Sequence, residues 1–285
     1  MHNPLVSVLM TAYNRELYIA EAIQSVLNST FKDFELIIVD DSSFDNTYAI
    51  AKSFNDPRIT LIRNELNLGQ FANRNKVANL ASGKIFLYVD SDDTINPDAI
   101  SHIVNLFNEY PESNFLTISR DNSYDLECSV GSEEIIRRHF FVKSSLHYGP
   151  GATAIRKDFY HEIGGFPLKY GPANDMFYNI KAACNTSVIL CKNEFLNYRR
   201  HDNQELNNPF VYIHQGYNYF NDALDLPELP LTTNEKNILR LKNKRRFVTN
   251  LHLFLFKNWN IKLYFKAIKL ANFKIVDFKK AIFLR

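Results

Sequence analysis

The chain has 285 residues, of which 46% are hydrophobic and 22% charged, so it can form one large α/β domain with an appendage. Its three cysteines include no CxxC pair, which argues against a disulfide framework. The sequence shows no signal-peptide pattern, which argues against secretion, and no apolar stretch approaches about 18 residues, which argues against a membrane span. The net charge of +2 divides into +13 for residues 236–285 and −11 for the rest, and so large an acidic body argues against nucleic-acid binding.

Short β-rich runs alternate with helical patterns over the first 110 residues, which predicts a mostly parallel sheet with crossover helices. In chain order the patterns predict a strand at 6–10, a helix at 17–27, a strand at 34–39, a helix at 47–54, a strand at 59–62, a helix at 71–80, a strand at 85–89 and a helix at 97–109. Further helices are predicted at 156–163 and 174–183. From about residue 206 the sequence is helical and aromatic.

Polar residues gather after three of these strands, at 11–15, 40–45 and 90–93. In open α/β sheets, ligands bind at the carboxyl ends of the strands. The three clusters therefore predict one site.

The second cluster contains the adjacent acids Asp40 and Asp41. A carboxylate at the end of a strand can accept from a nucleobase N–H or a ribose hydroxyl, while Ser43 or Asp45 can cap the next helix. Capping alone is the alternative interpretation. A receiver domain also has paired acids after a strand, but it needs an additional Asp and Lys downstream and is usually about half this long.

The third cluster places three carboxylates, Asp90, Asp92 and Asp93, within four residues. Such carboxylates repel one another unless a cation neutralises them, and hard oxygen ligands of this kind suit Mg²⁺ or Mn²⁺. A solvated acidic turn before the next helix is the alternative. The presence of the other two clusters favours the metal.

Four motifs occur in the order seen in family 2 glycosyltransferases: Thr11-Ala12-Tyr13-Asn14-Arg15, Asp40-Asp41-Ser42-Ser43, Asn67-Leu68-Gly69 with Arg74-Asn75, and Asp90-Ser91-Asp92-Asp93. Residues 4–205 resemble this family of inverting enzymes. The resemblance implies an α/β, Rossmann-like GT-A fold with a mostly parallel central sheet flanked by helices. It implies a catalytic domain at 1–205, with a nucleotide-binding half at 1–110 and an acceptor half at 111–205, followed by a basic, aromatic helical extension at 206–285.

The resemblance also implies a binding site for a nucleotide-diphospho-sugar donor. Its members would be Thr11, Ala12, Tyr13, Asn14, Arg15, Asp41, Arg74, Asp90 and Ser91. Tyr13 would stack on the base, Asp41 would accept from a base N–H, and Asp90 would bind the ribose. Arg15 and Arg74 would line the diphosphate or base pocket, and Asp92 would hold a Mn²⁺ or Mg²⁺ cofactor.

Downstream, Gly164-Gly165-Phe166-Pro167 followed by Asn174-Asp175 resembles the family's glycine-rich segment and acidic pair. Asp175 thereby inherits the role of general base, whereas Asn174 replaces the usual Glu and leaves the acceptor contacts open. Without the resemblance, this pair would be interpreted as a helix cap.

The segment Tyr198-Arg199-Arg200-His201 resembles a late part of the family that returns to the active site. It offers His201 as a metal or diphosphate ligand and Arg200 as a phosphate partner, although an isolated histidine is more often an ordinary polar residue. His139, His147 and His161 have no such context and are interpreted as ordinary polar residues.

Residues 236–285 combine many lysines and arginines with aromatic residues, which is typical of an interfacial membrane anchor. Packing on the catalytic domain and simple solvated helices are the alternatives. We expect a cytoplasmic protein, peripheral on the inner face of the cytoplasmic membrane.

The family implies a UDP-sugar donor, a glycan or lipid-linked glycan acceptor, and a role in bacterial surface-polysaccharide synthesis. Two other functions remain open: a sugar nucleotidyltransferase, which would carry a glycine-rich loop where this chain has 11–15, and a sugar-nucleotide-binding module without activity. The second would be favoured if Asp175 lay far from the acid cluster.

Overall fold

A computed structural model describes residues 3–120, 124, 126–192, 195–201 and 209–283. These residues form an eight-stranded sheet in the order β3-β2-β1-β4-β8-β6-β9-β7. Its strands are β1 (Val6–Ala12), β2 (Phe34–Asp40), β3 (Ile59–Arg63), β4 (Ile85–Tyr88), β6 (Phe115–Ile118), β7 (Cys128–Val130), β8 (Thr153–Arg156) and β9 (Val188–Cys191). A separate antiparallel pair consists of β5 (Thr94–Ile95) and β10 (Leu196–Asn197).

The part of the sheet formed by β1, β2, β3 and β4 is parallel throughout. Strand β1 pairs in parallel with both β2 and β4, and β2 pairs in parallel with β3. The register places Ala12 opposite Asp40, so the loops after β1 and β2 leave the sheet at the same edge. Strand β8 runs antiparallel to β4 and β6, and β7 antiparallel to β9. The prediction of a mostly parallel central sheet is confirmed.

Helices cover both faces of this sheet. They are α1 (Ile19–Leu27), α2 (Thr47–Lys52), α3 (Gln70–Leu80), α4 (Ala99–Glu109), α5 (Ser132–Phe141), α6 (Lys157–Glu162) and α7 (Asn174–Asn185). Because side chains alternate along a strand, Val8 enters the core that contains α1 and α4, while Leu9 enters the core that contains α3 and α7. Helix α4 begins two residues later than predicted, because the carbonyl of Pro97 accepts from the Thr30 N–H at 2.8 Å instead of opening the helix.

Four helices make up the C-terminal extension: α8 (Pro209–Leu224), α9 (Thr233–Asn258), α10 (Ile261–Leu270) and α11 (Ile275–Phe283). Tyr219 and Leu224 of α8 join the core shared with α7, and a third core links α8 to the helices that follow. The extension therefore packs on the catalytic part, which is the first alternative noted above. Residues 206–208 and 284–285 of the predicted extension lie outside the described residues. Among the helices described, none has the length and apolar character needed to cross a bilayer.

Candidate functional site

The loops that follow β1 and β2 are joined by hydrogen bonds. The Asp41 N–H donates to the Ala12 carbonyl at 2.8 Å, and the Asn14 N–H donates to Ser43 Oγ at 3.0 Å. The Asn14 side chain accepts in turn from the Phe44 N–H at 3.1 Å. Asn14 has φ of 53°, a left-handed conformation that asparagine tolerates better than most residues. These contacts fix the first two polar clusters side by side.

Two aromatic rings stand at the mouth of these loops. Tyr13 is 42% exposed and Phe44 84% exposed, and their rings meet edge to face with centroids 6.2 Å apart. Thr11 lies at the end of β1, half-buried, just before this pair. The pair exposes aromatic surface on the loops that also carry the buried Asp41.

Asp41 is buried and holds the loop before α3. Its Oδ1 accepts from Asn64 Nδ2 at 2.7 Å and from the Leu68 N–H at 2.9 Å, while its Oδ2 accepts from the Gly69 N–H at 2.9 Å. A carboxylate offers about four acceptor positions. Three of these positions are taken by the donors named above, so the carboxylate is a main support of this loop.

The third cluster is compact, with carboxylate oxygens of Asp90, Asp92 and Asp93 all within 4.8 Å of one another. Asp92 Oδ2 accepts from Arg15 Nε at 2.9 Å and lies 2.9 Å from His201 Nε2. The structure thus brings the first polar cluster, the acid cluster and the late histidine together. Ser91 is buried within the acidic turn.

Asp93 is the most buried of the three acids. Burial, with the charge of Asp90 beside it, raises the pKa of Asp93 to about 7. The Arg199 N–H donates to Asp93 Oδ1 at 2.8 Å, so the segment before His201 is bound to the cluster. The His201 ring stacks on Tyr18 with centroids 4.8 Å apart, which sets its orientation.

This set of atoms fits a hard divalent cation. The oxygens of three carboxylates form a ligand set suited to Mn²⁺ or Mg²⁺, which use carboxylates together with substrate phosphates. Arg15 pairs with Asp92 and Arg74 pairs with Asp90.

Arg74 of α3 is a buried cation with unused donors. Its Nη2 donates to Asp90 Oδ1 at 2.6 Å, but its Nε and Nη1 have no hydrogen-bond partner in the part of the chain that the structure describes. Burial of unpaired donors is costly, and in native proteins such groups usually have a partner such as a ligand. The guanidinium carbon also lies 6.0 Å from the centre of the Phe71 ring and 5.7 Å from that of the Tyr88 ring, so aromatic rings help to hold the cation beside Asp90.

Asp175 lies in the first turn of α7, half-buried, and accepts from the Met176 N–H at 2.7 Å. Burial raises the pKa of Asp175 to about 7, with a further increase from Asp90 and a decrease from Arg74. Both charges act on Asp175 because the start of α7 lies near Arg74 of α3 and near the acid cluster.

A glycine turn lies between the two carboxylates. A Cβ on Gly149 would stand 3.9 Å from Asp175 Oδ2, and a Cβ on Gly151 would stand 3.7 Å from Asp90 Oδ2. Asn174, which replaces the usual Glu, is buried and bridges the Tyr170 N–H at 2.9 Å and the Gly171 carbonyl at 2.7 Å. Its amide therefore stabilises the turn before α7.

The remaining residues singled out in the sequence are Arg200 and three histidines. Arg200 is exposed, and His139 is half-buried, with desolvation of its ring lowering its pKa to about 4. His147 stacks on Tyr148, and His161 contacts the ring of Phe86.

The sequence did not predict that Tyr18 stacks on His201, or that Gly149 and Gly151 lie beside Asp175 and Asp90. The glycines were recognisable as a turn, but no local pattern placed that turn beside two carboxylates.

A sheet of this topology with acids at its carboxyl edge is typical of GT-A glycosyltransferases. Residues 7–164 match the model of glycosyl transferase family 2, and the chain belongs to that family. It is therefore a glycosyltransferase. The family match does not support the alternative of a sugar nucleotidyltransferase.

Similar proteins agree with this class. An uncharacterized glycosyltransferase of Rickettsia prowazekii is 26% identical over 97% of this chain and 87% of its own length. The Escherichia coli UDP-Glc:alpha-D-GlcNAc-diphosphoundecaprenol beta-1,3-glucosyltransferase WfgD is 42% identical, over 33% of this chain and 37% of its own. Staphylococcus aureus TarS in complex with UDP-GlcNAc has the same fold, with a TM-score of 0.72 and 21% identity over 97% of this chain and 81% of that chain.

Proposed function

We propose that this glycosyltransferase moves a sugar from a UDP-sugar to a hydroxyl of a lipid-linked glycan, with inversion at the anomeric carbon. The observation that carries the proposal is that Asp90, Asp92, Arg74 and Asp175 meet at one edge of the sheet. The UDP-GlcNAc complex of TarS and the name of WfgD support the choice of a UDP-sugar.

On the donor side, Tyr13 stacks on the base and Asp41 accepts from its N–H, while Asp90 binds the ribose. Arg74, held by Asp90 through Nη2, contributes its positive charge to the side of the site where the diphosphate binds. Asp92 holds Mn²⁺ or Mg²⁺, with His201 beside it. When bound, the cation stabilises the negative charge of the departing nucleoside diphosphate.

On the acceptor side, Asp175 acts as the general base. It takes the proton of the attacking hydroxyl as the new bond to the anomeric carbon forms and the bond to the diphosphate breaks. A single displacement of this kind inverts the configuration. A pKa of about 7 suits this role, because a base is most effective when its pKa is near the working pH.

A cavity of about 170 Å³ borders Met176, the residue after the proposed base. It lies between the start of α7 and helices α8 and α9, and its lining includes Met176, Tyr212, Tyr219 and Arg246. Met176 directly follows Asp175 in the chain. We assign this cavity to part of the acceptor. We place the catalytic domain at 1–205, with its two halves divided near residue 110, and the extension at 206–285.

The acceptor of WfgD, as its name states, is a diphosphoundecaprenol-linked sugar. By analogy, we place this chain in bacterial surface-polysaccharide synthesis, peripheral on the inner face of the cytoplasmic membrane. Its basic extension would contact the anionic surface, because residues 236–285 carry a net charge of +13.

Thermal unfolding with UDP-, GDP- and dTDP-sugars tests the donor side. We expect a UDP-sugar with Mn²⁺ to raise Tm and to be hydrolysed slowly, and EDTA to remove both effects, since a ligand that binds only the folded state stabilises it. Stabilisation by GDP-sugars alone would overturn the UDP assignment. Stabilisation by none of the donors would overturn the donor site.

A further inference from the structure

Large apolar side chains are exposed where α9 turns into α10. We define the α9–α10 tip as Leu253, Phe256, Trp259, Ile261 and Phe265. Each is between 61% and 79% exposed, and Trp259 is the most exposed. Contiguous exposed apolar groups of this size usually mark an interaction surface.

The tip is held in place by its buried side. Leu251 of α9 and Ala267 of α10 are fully buried in the third core. Tyr264 Oη and His252 Nε2 lie 3.2 Å apart, so that bond joins the two helices. Trp259 ends α9 with φ of 48°, an uncommon conformation for a bulky residue, which directs the chain into α10. The aromatic residues are thus presented by packed helices.

Exposed lysines adjoin the tip on both helices. Lys257 follows Phe256 on α9, and Lys262, Lys266 and Lys269 lie three or four residues apart along one side of α10. The sequence has no acid between Glu235 and Asp277. Long lysine side chains can cover apolar surface while their ammonium groups reach charged headgroups.

We propose that the α9–α10 tip is the part of the chain that enters an anionic phospholipid surface. Phe256, Trp259 and Phe265 bury in the headgroup–acyl boundary, and the adjoining lysines bind anionic headgroups. The inference rests on the membrane placement proposed above and specifies its contact. A twofold contact with a second copy is disfavoured, because it would bring two clusters of lysines together.

Trp259 is the only tryptophan of the chain, so its fluorescence reports on the tip alone. Full-length protein is titrated with vesicles of phosphatidylcholine, with and without phosphatidylglycerol. We expect a blue shift and protection from acrylamide with phosphatidylglycerol at low salt, and neither change with phosphatidylcholine alone. Co-sedimentation with the same vesicles measures the affinity.

Two variants test the two components of the contact. The double variant Phe256→Ser with Phe265→Ser should weaken vesicle binding at least tenfold. The double variant Lys262→Glu with Lys266→Glu should weaken it about 20-fold or more, because each lysine near an anionic surface contributes about fivefold to the affinity. The matched controls are Val142→Ser, which changes a residue that is 72% exposed on the catalytic part, and Lys52→Glu on α2. Both controls should bind within about twofold of wild type.

The outcomes separate the claims. Wild-type binding that neither tip variant weakens overturns the assignment of the tip and leaves the membrane placement. No binding of wild type overturns both. A dimer in vesicle-free solution that dissociates in Phe256→Ser with Phe265→Ser would show that a second copy covers the tip, and would also overturn the inference. Hydrolysis of a UDP-sugar without vesicles tests the transferase function independently and should be equal in all variants.

Discussion

Asp92 is bound from two sides, since Arg15 and His201 both contact its Oδ2. We predict that Asp92→Ala weakens Mn²⁺-dependent binding of UDP at least tenfold, because the change removes the main proposed ligand of the cation. Calorimetry with Mn²⁺ and with EDTA measures the metal-dependent part. Asp98→Ala, an exposed acid before α4, is the control and should behave as wild type. An unchanged contribution of Mn²⁺ in Asp92→Ala would contradict the assignment.

Single residues also show the limit of sequence reasoning. The order of acids along the chain predicted that Asp41 and Asp90 lie at one edge, because the carboxyl ends of parallel strands meet there. The pattern did not show that Asp41 holds the loop before α3 with three hydrogen bonds, or that Arg74 is buried with two unpaired donors. Both features depend on contacts made only after α3 packs on the sheet.

Among the elements, the turn at 149–151 has the clearest consequence for function. A Cβ on Gly151 would make ordinary contacts, 3.5 Å from Leu196 and 3.7 Å from Asp90 Oδ2, so Gly151→Ala should be tolerated. The further methyl groups of Gly151→Val would crowd the Asp90 carboxylate. We predict that the valine variant weakens UDP-sugar binding about tenfold or more while the alanine variant stays within about threefold, as measured by calorimetry with Tm as a check on folding. Equal affinities would show that the turn does not border the donor site.

Elements with clear periodicity were predicted well. The strands at 34–39 and 59–62 were each predicted within one residue of β2 and β3, because apolar runs bounded by turns carry a strong local signal. Strands β6 and β7, and their positions next to β9, were not predicted. These short strands are placed by long-range pairing, as in the match of Phe115 with Val188, and local sequence does not encode such pairing.

At the scale of the whole molecule, the extension proves to be a packed part of the protein. Leu239, Phe247 and Leu251 of α9 are almost fully buried, and α8 shares a core with α7, which carries Asp175. We predict that ending the chain after Asn234 lowers Tm by about 10 °C or more, because each large side chain of this kind contributes about 2 kcal/mol by its burial. Calorimetric unfolding measures the shift.

The control for this truncation keeps the packing and changes only the charge. Lys262→Gln, Lys266→Gln and Lys269→Gln together should leave Tm within about 2 °C of wild type, because all three side chains are exposed. A truncated protein as stable as wild type would show that the extension folds separately. The sequence could not decide between a free basic segment and a packed one, because the same helical periodicity suits a membrane surface or a protein core.

The central claim is that Asp175 is the base of a glycosyl transfer at this edge of the sheet, and its pKa of about 7 gives the test. A base acts when deprotonated, so hydrolysis of the preferred UDP-sugar by wild type should rise about tenfold per pH unit below pH 7 and level off above it. The raised pKa also means that the folded state holds this proton more tightly than the unfolded state, so the stability contributed by Asp175 falls as pH rises from about 4 through 7. Asp175→Asn should therefore not lower Tm at pH 8.

The most direct measurement is the pH profile of kcat for wild type and Asp175→Asn, with the affinity for UDP determined alongside. We predict that the asparagine variant binds UDP within about twofold of wild type, turns over roughly 10²-fold more slowly, and loses the rise through pH 7. Turnover within a few-fold of wild type, with the same rise through pH 7, would contradict the account.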